Sequence, residues 1–333
     1  MQLITWRGEA SSITLLPERG RVLQVLVRGQ EAFWTPDESA QSPGNEWNVG
    51  GDRLWVSPEA AWFWKTLQRV DFEQYEIPRF LDPGRWKLSR STDSFCEMAQ
   101  RVVLRHQHNE QLYAFELARR FGRVALREPP FEGCVAYHSE NELRLEPGAR
   151  QEQPAQSIGL WSLLQLPVGG VMSIGLRATA SRAAWRDYFT PIEPAMWTQE
   201  SGALHLQISG GDQYKIGVAP RSLTGRVAYA RELGTEAGDE VLFVLRQWEP
   251  QPWLDYCDAP LGQLHSPGDA LQVYSDNGGP SSFGEVELHA PALRFGEGSR
   301  LSLASHLTVV GLAGRGEWTA WRDAWLAGDI VLL

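Results

Sequence analysis

The stretch GDALQVYSDNGGPSSFGEVELHAPAL, residues Gly268–Leu293, decides the fold. Its first half, Ala270–Ser275, mixes apolar and polar residues and stops at the turn-forming Asp276-Asn-Gly-Gly-Pro280. The second half resumes at Gly284–His289, where Glu285, Glu287 and His289 alternate with Val286 and Leu288. A period of two belongs to a strand, and two such runs joined by Asn, Gly and Pro read as antiparallel β-structure. The same pattern spreads outward in both directions. Toward the C-terminus lies Ser299–Val309, entered through Gly296-Glu-Gly298. Toward the N-terminus lie Glu240–Gln247, Ala203–Ser209, Val171–Arg177, Glu142–Glu146, Leu112–Leu117, Arg101–Arg105, Arg21–Val27 and Ser12–Leu16. Turn signals punctuate them at Pro17-Glu-Arg-Gly20, Glu146-Pro-Gly148 and Ser209-Gly-Gly-Asp212. Helical periodicity is scarce; Trp318–Leu326 reads either as a short amphipathic helix or as a final turn. Thr35–Asn48 and Tyr75–Arg85, rich in Pro, Gly, Asp and Glu, read as long loops of the kind that shape binding sites. No fixed-period repeat and no linker-like stretch divides the chain, so residues 1–333 are expected to form one all-β domain.

Composition limits what the domain can do. The formal charge of −10 argues against a nucleic-acid backbone or an anionic membrane as partner. The three cysteines, Cys96, Cys134 and Cys257, have no metal-type spacing and read as reduced, mostly buried thiols. Met1–Arg7 lacks a basic region followed by an apolar core, and no apolar run reaches membrane-spanning length. A cytoplasmic protein without metal or cofactor is therefore expected, and nothing in the sequence sets its oligomeric state. The unusual number is 15 Trp. Indole fills cores and also stacks on sugar C–H faces, and composition alone leaves both roles open.

Four segments carry a resemblance to a known superfamily. LLPERGRVLQVLVRG (Leu15–Gly29) looks like the opening hairpin of galactose mutarotase (aldose 1-epimerase) relatives. NVGGDRLWVSPE (Asn48–Glu59) is similar to a GG-x-R-x-W-x-x-P-E segment of uncharacterised bacterial families in that superfamily. The stretch from Gly268 through Leu293 to Gly298 and His306 resembles the superfamily's C-terminal core, and DQYKIG (Asp212–Gly217) its K-I-G strand. The resemblance implies a large antiparallel β-sandwich, a supersandwich of the galactose mutarotase type, with a small-molecule carbohydrate as ligand.

Mutarotation needs a base for the anomeric hydroxyl and an acid for the ring oxygen. In the family resembled, a late-strand Glu is the base and a His the acid. Glu287, placed before Ala290-Pro291, matches the base best and Glu285 follows. Two residues apart on a strand, their side chains share one face, roughly 6–7 Å apart; a solvent-facing acidic stripe has the same pattern. The acid has no clear match. Glu146-Pro147 stands where the family carries a His, and no His precedes His106. His138 lies nearby but off register and is a candidate proton donor or an ordinary hydrogen-bonded histidine. His289 shares the face of the two glutamates and is a candidate substrate contact.

Arg53 offers a planar, multi-donor clamp for hydroxyls, or a salt bridge to Asp52 or Glu59. Trp55 alternates with it and is either a stacking platform or core. Lys215 reaches a ligand only where its strand face lines a cleft; otherwise it is a solvated strand charge. Three functions fit these residues: a mutarotase-like isomerase using Glu287, a non-catalytic sugar-binding or sensing protein, and an oligosaccharide-cleaving enzyme. Two carboxylates on one strand are poorly placed for opposite faces of a sugar, which disfavours the last.

Overall fold

The computed structural model describes residues 2–36, 47–127, 129–146, 156–177, 184–200, 202–234, 239–278, 282–296 and 300–332. Most of the expected loop Thr35–Asn48, parts of the turns Glu146–Gly148, Asp276–Pro280 and Gly296–Gly298, and Ser299 lie outside the described residues.

Two large antiparallel sheets make up the described chain. The first runs in the order Ile4–Arg7, Ser11–Leu16, Arg21–Val27, Asp52–Ser57, Ser157–Pro167, Phe283–His289, Leu271–Ser275, Tyr214–Val218, Trp185–Asp187. The second runs Trp197–Glu200, Ala203–Ile208, Gly170–Leu176, Leu223–Glu232, Glu240–Gln247, Leu301–Gly314, Val135–Leu145, Leu112–Val124, Phe95–Arg105, Lys87–Ser91. One apolar cluster, drawing on side chains from Trp6 to Leu312, fills the space between them and continues onto the outer face of the first sheet at Trp55, Phe63 and Trp161. This is the supersandwich architecture. The helix Arg315–Ala327 covers the outside of the second sheet, where Trp318 stacks on Phe243 at 4.7 Å. No helix among the described residues is long and apolar enough to cross a membrane.

The two sheets are buried differently, and that difference positions the site. Phe95–Arg105 and Leu112–Val124 alternate between buried and partly exposed residues, as strands with one wet face do. Asp52–Ser57, Tyr214–Val218 and Phe283–His289 are buried at every position. Their outer face is roofed by chain folded back over the first sheet. Phe63, just after that sheet's strand Asp52–Ser57, packs on Trp55 at 4.9 Å and on Trp161 at 5.6 Å. From the other side, Tyr188 donates to the Asp258 carbonyl and to Asp269.

Glycine permits two close approaches in this roofed region. Gly50 and Gly51 have φ of 85° and 77°, and a Cβ on either would sit 2.2 Å from a backbone oxygen, Trp34 O or Val22 O. That backbone conformation favours glycine, which accounts for the paired glycines ahead of Arg53. At Gly217 a Cβ would come within 2.3 Å of Asp269 Oδ2 and 2.4 Å of the Tyr188 ring. Its hydrogen lets both side chains close on the sheet.

Charge is also buried between the sheets. Asp52 accepts hydrogen bonds from Arg119 at 2.8 Å, Tyr137 at 2.9 Å and Arg246 at 3.3 Å. Burial alone would raise the Asp52 carboxyl, but the guanidiniums of Arg246 and Arg119 outweigh it and hold the group below its ordinary range. Asp52 therefore faces inward, and its neighbour Arg53 faces the roofed side.

Candidate functional site

Strand alternation and register assemble the site. On Phe283–His289, Val286 and Leu288 enter the core, while Glu285, Glu287 and His289 face the roof. Glu287 lies opposite Leu163, which lies opposite Arg53; Glu285 lies opposite Tyr274, which lies opposite Lys215. Neighbouring strands thus place Arg53, Glu285, Glu287 and Lys215 on one patch of one face. A cavity of about 260 Å³ opens over this patch, and these four side chains line it together with Trp55.

Within the cavity each cation is held by carboxyls. Arg53 Nη2 meets Glu285 Oε1 at 2.6 Å, so the arginine pairs with neither Asp52 nor Glu59. Lys215 Nζ lies 3.0 Å from Glu287 Oε2 and 3.1 Å from Glu59 Oε2. It is buried, not a solvated strand charge. Trp161 Nε1 donates to Glu287 Oε2 at 2.8 Å. The Arg53 guanidinium lies over Trp55 at 4.2 Å and the Lys215 ammonium over Trp161 at 4.8 Å. Trp55 is itself fixed by donating Nε1–H to Asp82 at 2.9 Å. Next to this cluster, Asp258 accepts from the Glu59 backbone N–H at 2.5 Å and from Gln272 at 2.7 Å.

Three carboxyls around two cations share too little positive charge. Burial raises Glu59, Glu285 and Glu287 above the ordinary carboxyl range, against the pull of Lys215 and Arg53. Glu287 is pushed up to about 8, by burial first and then by Glu285 and Glu59, with Lys215 opposing. Burial works against the Lys215 charge, but Glu287 and Glu59 prevail and keep the ammonium protonated. One carboxyl of the group therefore carries a proton near neutral pH.

That proton has a consequence for stability. A carboxyl whose folded pKa is raised holds a proton that the unfolded chain releases. Its contribution is complete below the ordinary value of 4.5 and is lost as pH rises through about 8. Stability measured by denaturant unfolding is expected to decline across that interval, and Glu287→Gln to flatten the decline. An unchanged slope in the variant would place the titrating group elsewhere.

Two residues expected at the site fall outside it. His138 belongs to Val135–Leu145 in the second sheet, where it hydrogen-bonds Ser305 Oγ on the outer surface. That placement corrects its assignment as proton donor to the glutamate pair. His289 continues the row of Glu285 and Glu287 but stacks on Trp161 at 5.5 Å and lines a different cavity, of about 370 Å³. Its ring nitrogens have no hydrogen-bond partner among the described residues. Burial, then Lys215, holds it well below the ordinary imidazole range. Conversely, Glu59, Tyr75 and Asp276 line the cavity without having been singled out. Among the described residues no group of three His, Cys, Asp or Glu is arranged to hold a metal ion.

The fold is that of a galactose mutarotase-like β-sandwich. Similar solved structures include a galactose mutarotase-like protein from Lactobacillus casei ATCC 334, at 11% identity and a TM-score of 0.51, covering 93% of this chain and 100% of that one. Another is a protein of Escherichia coli K12 assigned as an aldose 1-epimerase, at 9% identity and a TM-score of 0.54, covering 94% and 99%. At such identities the likeness is one of fold. By sequence, the chain belongs to a family of unknown function, DUF6786, whose model matches residues 37–309. No curated protein matches it.

Proposed function

We propose that the chain binds a monosaccharide-sized carbohydrate in the roofed cavity and acts on it as a mutarotase-like isomerase. The observation that carries the binding reading is Arg53. It is 2% exposed, its Nη2 is taken by Glu285, and its Nε and Nη1 have no partner among the described residues. Buried donors without acceptors are costly, and ligand hydroxyls would satisfy them. Aromatic side chains, among them Trp47, Tyr75 and Phe189, line the cavity, and a volume of about 260 Å³ suits one sugar ring better than a chain of them.

For catalysis, Glu287 in its ionised form takes the proton from the anomeric hydroxyl. Glu59 faces Lys215 from the other side, and burial raises its carboxyl, so its protonated form supplies the acid for the ring oxygen. Lys215 lies between the two carboxyls, and its charge opposes the rise that burial imposes on both. Anomer exchange of free aldoses, followed by NMR, is expected to be accelerated, with a rate that falls as pH rises through about 8, where the carboxyl group's remaining proton and with it the acid is lost. Glu287→Gln is expected to lower that rate roughly 10²–10⁴-fold. Exchange no faster than in buffer across a broad aldose panel would reject catalysis. A second reading, binding without turnover, draws support from the cavity lining, which contains no histidine among the described residues. It predicts saccharide-dependent thermal stabilisation without exchange.

A further inference from the structure

We propose that this cavity prefers sugars bearing a free ammonium group over their neutral parents and over anionic sugars, with Asp276 and Glu285 forming the ammonium site. The proposal rests on the sugar-binding reading above and assigns its substrate class.

Four carboxyls line the cavity, Glu59, Asp276, Glu285 and Glu287, against two cations, Arg53 and Lys215. Lys215 is taken by Glu59 and Glu287, and one arm of Arg53 by Glu285. Asp276 is left with neutral donors. Its Oδ1 accepts from the Tyr274 hydroxyl at 3.1 Å and its Oδ2 from the Gly278 N–H at 3.2 Å. Among the described residues no cation pairs with it. Asp276 is also close enough to Glu285 for its charge to disfavour ionisation there. Two carboxylates that repel across the wall of a cavity are both relieved by a shared cation. A ligand ammonium has three donors, which suits two carboxylates better than it suits the filled cluster around Lys215.

The unpartnered Nε and Nη1 of Arg53, nine-tenths buried beside Glu285, independently mark the adjoining space as the ligand's. They take neutral hydroxyls of the same sugar. A phosphate or carboxylate would meet those two donors inside a lining where carboxyls outnumber cations, and the field there opposes it.

The test is calorimetric titration of the full chain at pH 6 with glucose and glucosamine, galactose and galactosamine, and glucose 6-phosphate. The amino sugar of at least one pair is expected to bind about fivefold tighter than its parent, the effect of one partly exposed ion pair. Glucose 6-phosphate is expected to bind more weakly than glucose. Asp276→Asn should bring the amino-to-neutral ratio close to one. A wild-type ratio of one or less in both pairs, tighter binding of the phosphate, or a ratio that survives Asp276→Asn would overturn the proposal. The wild-type ratios decide even where the variant fails to fold. Binding of none of these sugars would instead overturn the sugar-binding reading beneath it.

Discussion

Lys215→Met is expected to lower the unfolding free energy by about 3–5 kcal/mol at pH 8, the loss typical of breaking a buried ion pair from one side. The lysine side chain is 3% exposed, and its two carboxyl partners are 11% and 1% exposed. The cost is not the net worth of the ion pairs. It arises because methionine fills the space but leaves Glu59 and Glu287 facing each other with no cation between them. Both then hold protons to still higher pH, while in the unfolded chain they ionise normally. The loss should therefore shrink as pH falls toward 5, where the unfolded chain also begins to bind those protons. Adding Glu287→Gln to Lys215→Met is expected to recover part of the loss, because one of the two stranded carboxyls is gone. Urea unfolding of the four proteins in the cycle at pH 5 and pH 8 measures this. A loss in Lys215→Met that is equal at both pH values would show that the lysine acts through packing alone.

Arg53→Lys is expected to weaken sugar binding roughly 100-fold, about 2.7 kcal/mol, with a much smaller effect on stability. A lysine retains a positive charge for Glu285, whose carboxyl is 2.6 Å from the guanidinium. It gives up the planar fork whose Nε and Nη1 are left over for a ligand, and the flat contact with Trp55 at 4.2 Å. The contrast with Lys215→Met is diagnostic, since one substitution removes a partner that the fold needs and the other removes donors that only a ligand uses. Tryptophan fluorescence titration reads the affinity, because Trp47 and Trp55 both lie against the guanidinium. Wild-type affinity in Arg53→Lys would mean that the spare donors do not touch the sugar.

The sequence made some parts of this arrangement legible and concealed others for physical reasons. Arg21–Val27 and Glu240–Gln247 were read with the ends they have, because turn residues bound them on at least one side. Ser157–Pro167 was not singled out. It runs through the middle of the first sheet, buried on both faces along most of its length, so SIGLWSLLQLP has no alternation to detect. The row Glu285, Glu287, His289 was visible because a period of two survives even in a buried strand. Its partners were not. The Arg53–Glu285 pair spans 232 positions and Lys215–Glu59 spans 156, and a single sequence holds no signal for contacts of that range. In the sequence Glu59 reads only as a salt-bridge partner of Arg53, because it opens a four-residue helix too short for helical periodicity to register. His138 misled for the opposite reason. Proximity along the chain placed it near a family motif, while its strand lies in the other sheet.

The claim that joins these points is that the roofed cavity over Arg53, Glu285 and Glu287 is a sugar site. A crystal structure of the protein soaked with the tightest-binding monosaccharide from the calorimetric panel tests it most directly. The ring should lie in that cavity, with hydroxyl oxygens within hydrogen-bond reach of Arg53 Nε and Nη1. A sugar found instead in the 370 Å³ cavity beside His289, with the Arg53 donors still unpartnered, would contradict the account.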